Sequence, residues 1–137
     1  MKKTKQLSVY LENRPGLLAH ACSVLGESGI NILAMSIHDT VDQAVVRYLV
    51  DNPTKALLLL EHEEFYVIEQ DVLMVEIRNT PGELAAVARK LAQADINIDY
   101  AYYTATYRQP RGCLVLRTKD ADGAMEALRG IEPMTEE

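Results

Sequence analysis

The chain is written twice. Asn13-Arg14-Pro15-Gly16 returns 66 residues later as Asn79-Thr80-Pro81-Gly82, and Ile30-Asn31-Ile32 returns at the same offset as Ile96-Asn97-Ile98. Leu7 and Leu73, Val9 and Val75, Leu18 and Leu84, and Leu25 and Leu91 keep step with them. A constant offset over so many positions marks two copies of one structural unit. Two copies are too few for a solenoid, whose repeats need neighbours on both sides. The chain therefore reads as two fused small units, 1–70 and 71–137, and its 137 residues suffice for a real core.

Each copy shows the same succession of periods. Gln6 to Glu12 alternates, with Leu7, Val9 and Leu11 on one face, as a half-buried strand does. Asn-x-Pro-Gly follows. Proline suits the first helical turn, where its missing N–H costs nothing, and the preceding Asn is placed to cap free amides. Leu18, Ala21, Cys22 and Leu25 then form an apolar helical stripe. Gly29 closes that helix in a left-handed conformation, and Asp95 takes its place in the second copy. Strands are predicted over Ile32–Asp39 and Gln43–Asp51, joined by a turn at 40–42. A second helix follows Asn52-Pro53-Thr54, and a closing strand covers Phe65–Glu69. In the second copy the elements are Val72–Arg78, Pro81–Ala94, Ile98–Thr106, Gly112–Thr118 and Asp120–Arg129. Its closing strand, at Ile131–Met134, contains a proline and is short or absent.

Strand, helix, strand, strand, helix, strand is the order of a ferredoxin-like βαββαβ unit. The predicted class is α+β, with antiparallel sheets, both helices of each unit on one face, and the units side by side across a junction at Gln70 and Asp71.

Charge and composition exclude several functions. Lys and Arg total 14 against 20 Asp and Glu, a net charge of −6, which disfavours nucleic acid as a partner. RNA-recognition modules share the element order, but the central strands offer only Arg47 and Tyr48 in place of a basic–aromatic signature. Cys22 and Cys113 form neither a CxxC nor a zinc spacing and fit a reducing cytoplasm. Met1-Lys2-Lys3-Thr4-Lys5 runs into alternating residues, so neither a signal peptide nor a membrane span is read there. His20, His38 and His62 lack metal-ligand spacing, and His38 with Asp39 reads as a hydrogen-bonded turn pair. No phosphate loop, dinucleotide fingerprint or nucleophile elbow is present, and no acid, base and nucleophile converge. The expectation is a non-enzyme with no cofactor and no metal.

The repeated polar positions remain to be explained. Asn13 and Asn31 fall at opposite ends of the first helix, so one copy does not bring them together. Across a pseudo-twofold interface, however, the loop of one unit can face the second strand of the other. Such a crevice would offer helix-start amides and an Asn side chain to the head group of an α-amino acid. For the bare motif, ordinary turn chemistry outweighs ligand binding. Tyr100 and Tyr102 are predicted on one face of their strand, with Tyr103 and Tyr107 on the other. Cross-strand packing is their default role, and lining the crevice is the alternative.

Leu11-Glu12-Asn13-Arg14-Pro15-Gly16-Leu17-Leu18 followed by Gly29-Ile30-Asn31-Ile32 resembles the signature of the ACT domain. So does Ile77-Arg78-Asn79-Thr80-Pro81-Gly82-Glu83-Leu84 followed by Asp95-Ile96-Asn97-Ile98. The resemblance covers nearly the whole chain as a tandem pair. It implies a regulatory module that associates side by side and binds a small effector, commonly an amino acid, at the interface of two units. The implied contacts are Leu11, Asn13, Arg14, Pro15, Gly16, Leu17, Asn31 and Ile32 in the first copy. In the second they are Asn79, Thr80, Pro81, Gly82, Glu83, Asn97 and Ile98. Serine-binding members carry a His two positions before the loop Asn. This chain has Leu11 and Ile77 there, which favours a more apolar amino acid. The loops differ at Arg14 versus Thr80 and Leu17 versus Glu83, so the crevices are not equivalent. A homodimer and a separate enzyme as partner are further expectations. The competing reading is a structural or dimerisation module that docks on an enzyme of amino-acid metabolism through sheet edges left open by the short last strand.

Overall fold

The computed structural model describes residues 1–39 and 42–131. The chain divides into two compact units: Lys5–Gln70, and Met1–Thr4 together with the residues from Asp71 on.

In the Lys5–Gln70 unit, the first strand β1 (Lys2–Glu12) runs into α1 (Leu17–Glu27). Then come β2 (Ile32–Asp39), β3 (Gln43–Val50), α2 (Pro53–His62) and the start of β4 (Tyr66–Arg78). Neighbouring strands run β2-β3-β1-β4. The β1–β3 and β2–β3 pairings are antiparallel, with Leu7 opposite Tyr48 and Ile37 opposite Val46. Alternation sends Leu7, Val9, Leu11, Val46, Tyr48 and Val50 to one face, where they meet Ala21 and Leu25 of α1 and Ala56 and Leu60 of α2. Asn52 caps α2 by accepting from the Lys55 N–H at 3.2 Å, and Pro53 opens the helix as its fixed φ allows.

In the other unit the strand order is β1-β4-β6-β5, with β1 contributing only Lys2–Thr4. Its elements are the later part of β4, α3 (Glu83–Gln93), β5 (Tyr100–Ala105), β6 (Arg111–Arg117) and α4 (Ala121–Ala127). Leu73, Val75, Ile77, Leu114 and Leu116 form its core with Val87 and Leu91 of α3 and Ala124 and Leu128. Met1 packs on the edge of that core, and Lys3 pairs with Asp122 at 3.4 Å.

The element order follows the sequence expectation, and two details depart from it. The closing strand of the first copy and the opening strand of the second are one continuous 13-residue strand, and the boundary between the units falls inside it at Gln70 and Asp71. Arg117 Nη1 donates to the Asp71 carbonyl at 2.9 Å, so a backbone group there finds a partner without a break in the strand. Ile131 lies outside any strand, and the rest of the expected strand at 131–134 falls outside the described residues, as does most of the turn at 40–42. The place beside β4 that a closing strand would take is held by Lys2–Thr4. Finally, Tyr107 lies in the β5–β6 turn with Arg108 over its ring, so it shares no strand face with Tyr103.

Candidate functional site

The duplicated loop has the same backbone in both units. Gly16 has φ 92° and Gly82 has φ 91°, the left-handed region that L side chains enter only at a cost. A Cβ added at either glycine would meet open space, so backbone conformation alone selects glycine there. Each glycine stands at the start of its helix without a side-chain cap; α1 begins at Leu17, where its apolar pattern begins, and α3 at Glu83, two residues later than the expected Pro81. Pro15 and Pro81 belong to the turn before the helix.

The asparagines do not cap the helices. Their amides reach sideways to the neighbouring hairpin. Asn13 donates from Nδ2 to Asp39 Oδ1 at 3.0 Å, and its backbone N–H points to Asp42 O at 3.4 Å. Asn79 donates from Nδ2 to Gln109 O at 2.9 Å and to Thr106 O at 3.3 Å, and its N–H bonds Pro110 O at 2.9 Å. The sequence pairs Asp39 with His38 as a turn. In the fold Asp39 ends β2 and accepts from Asn13 instead.

In the second unit this loop forms one wall of a cavity of about 450 Å3. Asn79, Thr80, Pro81, Gly82 and Glu83 line it, and Tyr103 lies across from them. Tyr103 is there because Gly112, its diagonal neighbour on β6, has no side chain. A Cβ at Gly112 would collide with the Tyr103 ring and hydroxyl. Thr80 Oγ1 donates to Glu83 Oε1 at 3.3 Å, which holds a carboxylate in the first helical turn, where the helix dipole favours it.

The first unit is built differently. Leu11, Arg14 and Leu17 line a cavity of about 370 Å3 with Tyr10, Glu12, His20, Glu63, Glu64 and Phe65. His20 sits 5.6 Å from the Phe65 ring and 3.4 Å from Glu63 Oε2, and Arg14 Nε donates to Glu12 Oε2 at 3.1 Å. Asn13, Pro15 and Gly16 are exposed beside this cavity and are not part of its lining.

The second asparagines stand at the far ends of the first helices. The Asn31 N–H donates to Asp51 Oδ1 at 3.1 Å, and its carbonyl accepts from the Asp51 N–H at the same distance. Asn97 lines a separate cavity of about 230 Å3 with Asp95, Asp99 and Asp120, and its carbonyl accepts from Thr118 Oγ1 at 2.9 Å. Ile32 is half-buried opposite Val50, and Ile98 is exposed. Within either unit the loop and the second asparagine are apart, as their positions at opposite helix ends require.

The sequence reading passed over His20, Glu63 and Phe65, and Gly112 beneath Tyr103. Helix α1 brings His20 to Glu63 and Phe65 just past the end of α2, and strand register brings Gly112 beneath Tyr103. Ile77 is fully buried, so it cannot itself favour an apolar ligand. Among the described residues no group of three or more His, Cys, Asp or Glu side chains is placed to hold a metal ion. Among the described residues no helix is long and apolar enough to cross a membrane.

The model of the ACT domain pair matches residues 2–132. The fold superposes on a crystal structure of a Bacteroides thetaiotaomicron protein with a TM-score of 0.87 and 33% identity, covering 93% of this chain and 87% of that one. The regulatory subunits of aspartate kinase from Thermus thermophilus and Thermus flavus share the fold at TM-scores of 0.71 and 0.65, with 20% and 21% identity. The alignment covers 95% of both chains for the first and 93% of both for the second. No curated protein matches the chain. A duplicated loop, two ferredoxin-like units and a family match over almost every residue lead to one conclusion: the chain belongs to the ACT domain pair family.

Proposed function

We propose that this protein is a non-enzymatic regulator that binds an amino acid at an interface between two ACT units, with the Asn79–Glu83 loop as the principal contact. The observation that carries this reading is the second-unit crevice. There a left-handed glycine opens the helix start, a carboxylate stands in the first turn, and Tyr103 provides an aromatic wall. Helix-start amides suit a carboxylate, Glu83 suits an ammonium, and the Tyr103 ring suits an apolar or aromatic side chain. The family relationship supports a regulatory role, and solved neighbours include regulatory subunits of an amino-acid kinase. The second units' Asn97 and Ile98 and the first units' Asn31 and Ile32 are proposed to meet a loop across such an interface rather than within one unit.

A homodimer completes this reading. Leu33, Met35 and Ile37, on the outer strand β2, remain 49%, 42% and 48% exposed on one side of the strand. An outer strand with an apolar stripe and free backbone groups is suited to a second copy. The same stripe favours the second reading, docking on a separate enzyme of amino-acid metabolism. Cys22 and Cys113 are free thiols, which suits a cytoplasmic setting.

Calorimetry across the twenty amino acids tests the proposal. The expected result is heat from apolar or aromatic members, weakened about tenfold when Tyr103 becomes Ala. A flat response to all of them would remove the sensor reading and leave the docking module.

A further inference from the structure

The second unit contains another cavity, on the sheet face away from α3 and α4. It is about 430 Å3, the size of a small-molecule site. Strand alternation sets its contents. Leu73, Val75, Ile77, Leu114 and Leu116 turn toward the helices, so Met74, Glu76 and Cys113 turn the other way. Thr104 faces Cys113 across the β5–β6 ladder, and Lys2 closes one side. Arg111 Nη1 donates to Glu76 Oε1 at 2.9 Å in the cavity wall. The Arg111 side chain is 29% exposed and the Glu76 side chain 53%, so both charges reach solvent in the cavity mouth.

We infer that this cavity is a second small-molecule site, for a free α-amino acid with an apolar side chain, separate from the Asn79 crevice. An ion pair in a cavity wall presents both charges at the spacing of one side-chain contact, and a zwitterion reciprocates both. The guanidinium takes the carboxylate through its forked donors, and Glu76 takes the ammonium. Met74 and the Cys113 thiol form a soft apolar floor for the side chain. A simple cation would meet Arg111 and Lys2, and a simple anion would meet Glu76, so neither half of the zwitterion alone is as well matched.

Cys113 provides the readout. Burial holds its thiol above the usual range, and the nearby Glu76 carboxylate pushes in the same direction. Alkylation of Cys113 is therefore expected to be slow and to respond to what occupies the cavity. Iodoacetamide modification of the full chain, read peptide by peptide with each of the twenty amino acids, tests the site, and Cys22 serves as the internal control. L-leucine and its apolar relatives are expected to slow Cys113 about tenfold near saturation and to leave Cys22 unchanged. Isoamylamine and isocaproate, which carry only one of leucine's two charges, should protect weakly. Arg111→Gln should abolish protection and Asn79→Ala should leave it intact, whether or not the Asn79 crevice binds anything. Glu76→Gln, at an exposed carboxylate, should speed alkylation of the free protein and also lose protection. Protection by none of the twenty, equal protection by the one-charge analogues, or protection that survives Glu76→Gln would overturn the inference.

Discussion

Where the second unit places Tyr103 above Gly112, the first has Ile37 and Ala44 at the matching positions of its hairpin. Where the first unit ties Asn13 to the Asp39 carboxylate, the second has Ala105 at the end of its strand and ties Asn79 to backbone carbonyls. His20 in the first helix corresponds to Ala86 in the third. Each unit keeps the left-handed glycine and the asparagine that fastens the loop to its hairpin. The side chains that line the crevices have diverged completely. A duplicated scaffold can therefore hold its backbone to a few angular and hydrogen-bonding requirements and leave recognition free to differ between the copies.

The largest expected effect separates the two hairpins. Gly112→Val forces Tyr103 from its place and should cost about 1–3 kcal/mol, as overpacking does. Ala44→Val adds a good strand residue at the corresponding half-buried site and should change stability by about 0.5 kcal/mol or less. Thermal unfolding of both variants, with amino-acid binding followed in parallel, measures the contrast. Equal costs would mean that the second hairpin is no more hollow than the first.

Next comes a test of sameness. Gly16→Ala and Gly82→Ala both force a side chain into positive φ with open space around it, so strain is the only cost. Each should lose about 1–2 kcal/mol, and the two losses should agree. Denaturant midpoints check this. A marked difference would show that the shared loop geometry does not carry the same energy in both units.

The smallest effect lies in the cores. Tyr48 is fully buried, with its hydroxyl 3.2 Å from Cys22 Sγ, and the matching residues in the second unit are Leu116 and Ala88. Burial raises the Tyr48 phenol far above its ordinary value, and the Cys22 contact adds to the rise. A raised folded-state value means that the native state keeps its proton where the unfolded chain releases it. The stabilising contribution is therefore complete below pH of about 10 and declines as pH climbs beyond it. Tyr48→Phe should lose about 1 kcal/mol near neutrality and flatten the alkaline decline. A pH series of unfolding curves reads both changes, and an alkaline decline as steep as the parent's would place its cause in another group.

Much of this was legible in the chain. The repeat offset, the alternation of Leu7, Val9 and Leu11, the helical stripe through Leu25, and the turns at Gly29 and Asp95 are local signals. The fold follows them, with φ of 76° at Gly29 and 58° at Asp95. The loop asparagines depart from the expected cap. An Asn before Pro-Gly looks like a cap, and only the nearby hairpin reveals what its amide bonds to. The unbroken β4 was also hidden, because Glu69-Gln70-Asp71 is polar and reads as a boundary.

The sequence by itself determined the class of fold, the two units and the glycine positions, because periodicity and backbone strain act over a few residues. The tertiary structure decided that Lys2–Thr4 lies with the second unit. It also decided that Tyr103 lies over Gly112, and that Glu76, Arg111 and Cys113 share a cavity. Those outcomes depend on strand register and on which distant backbone groups find partners. Polar strand residues such as Lys2, Lys3 and Thr4 carry no local pattern that could announce them.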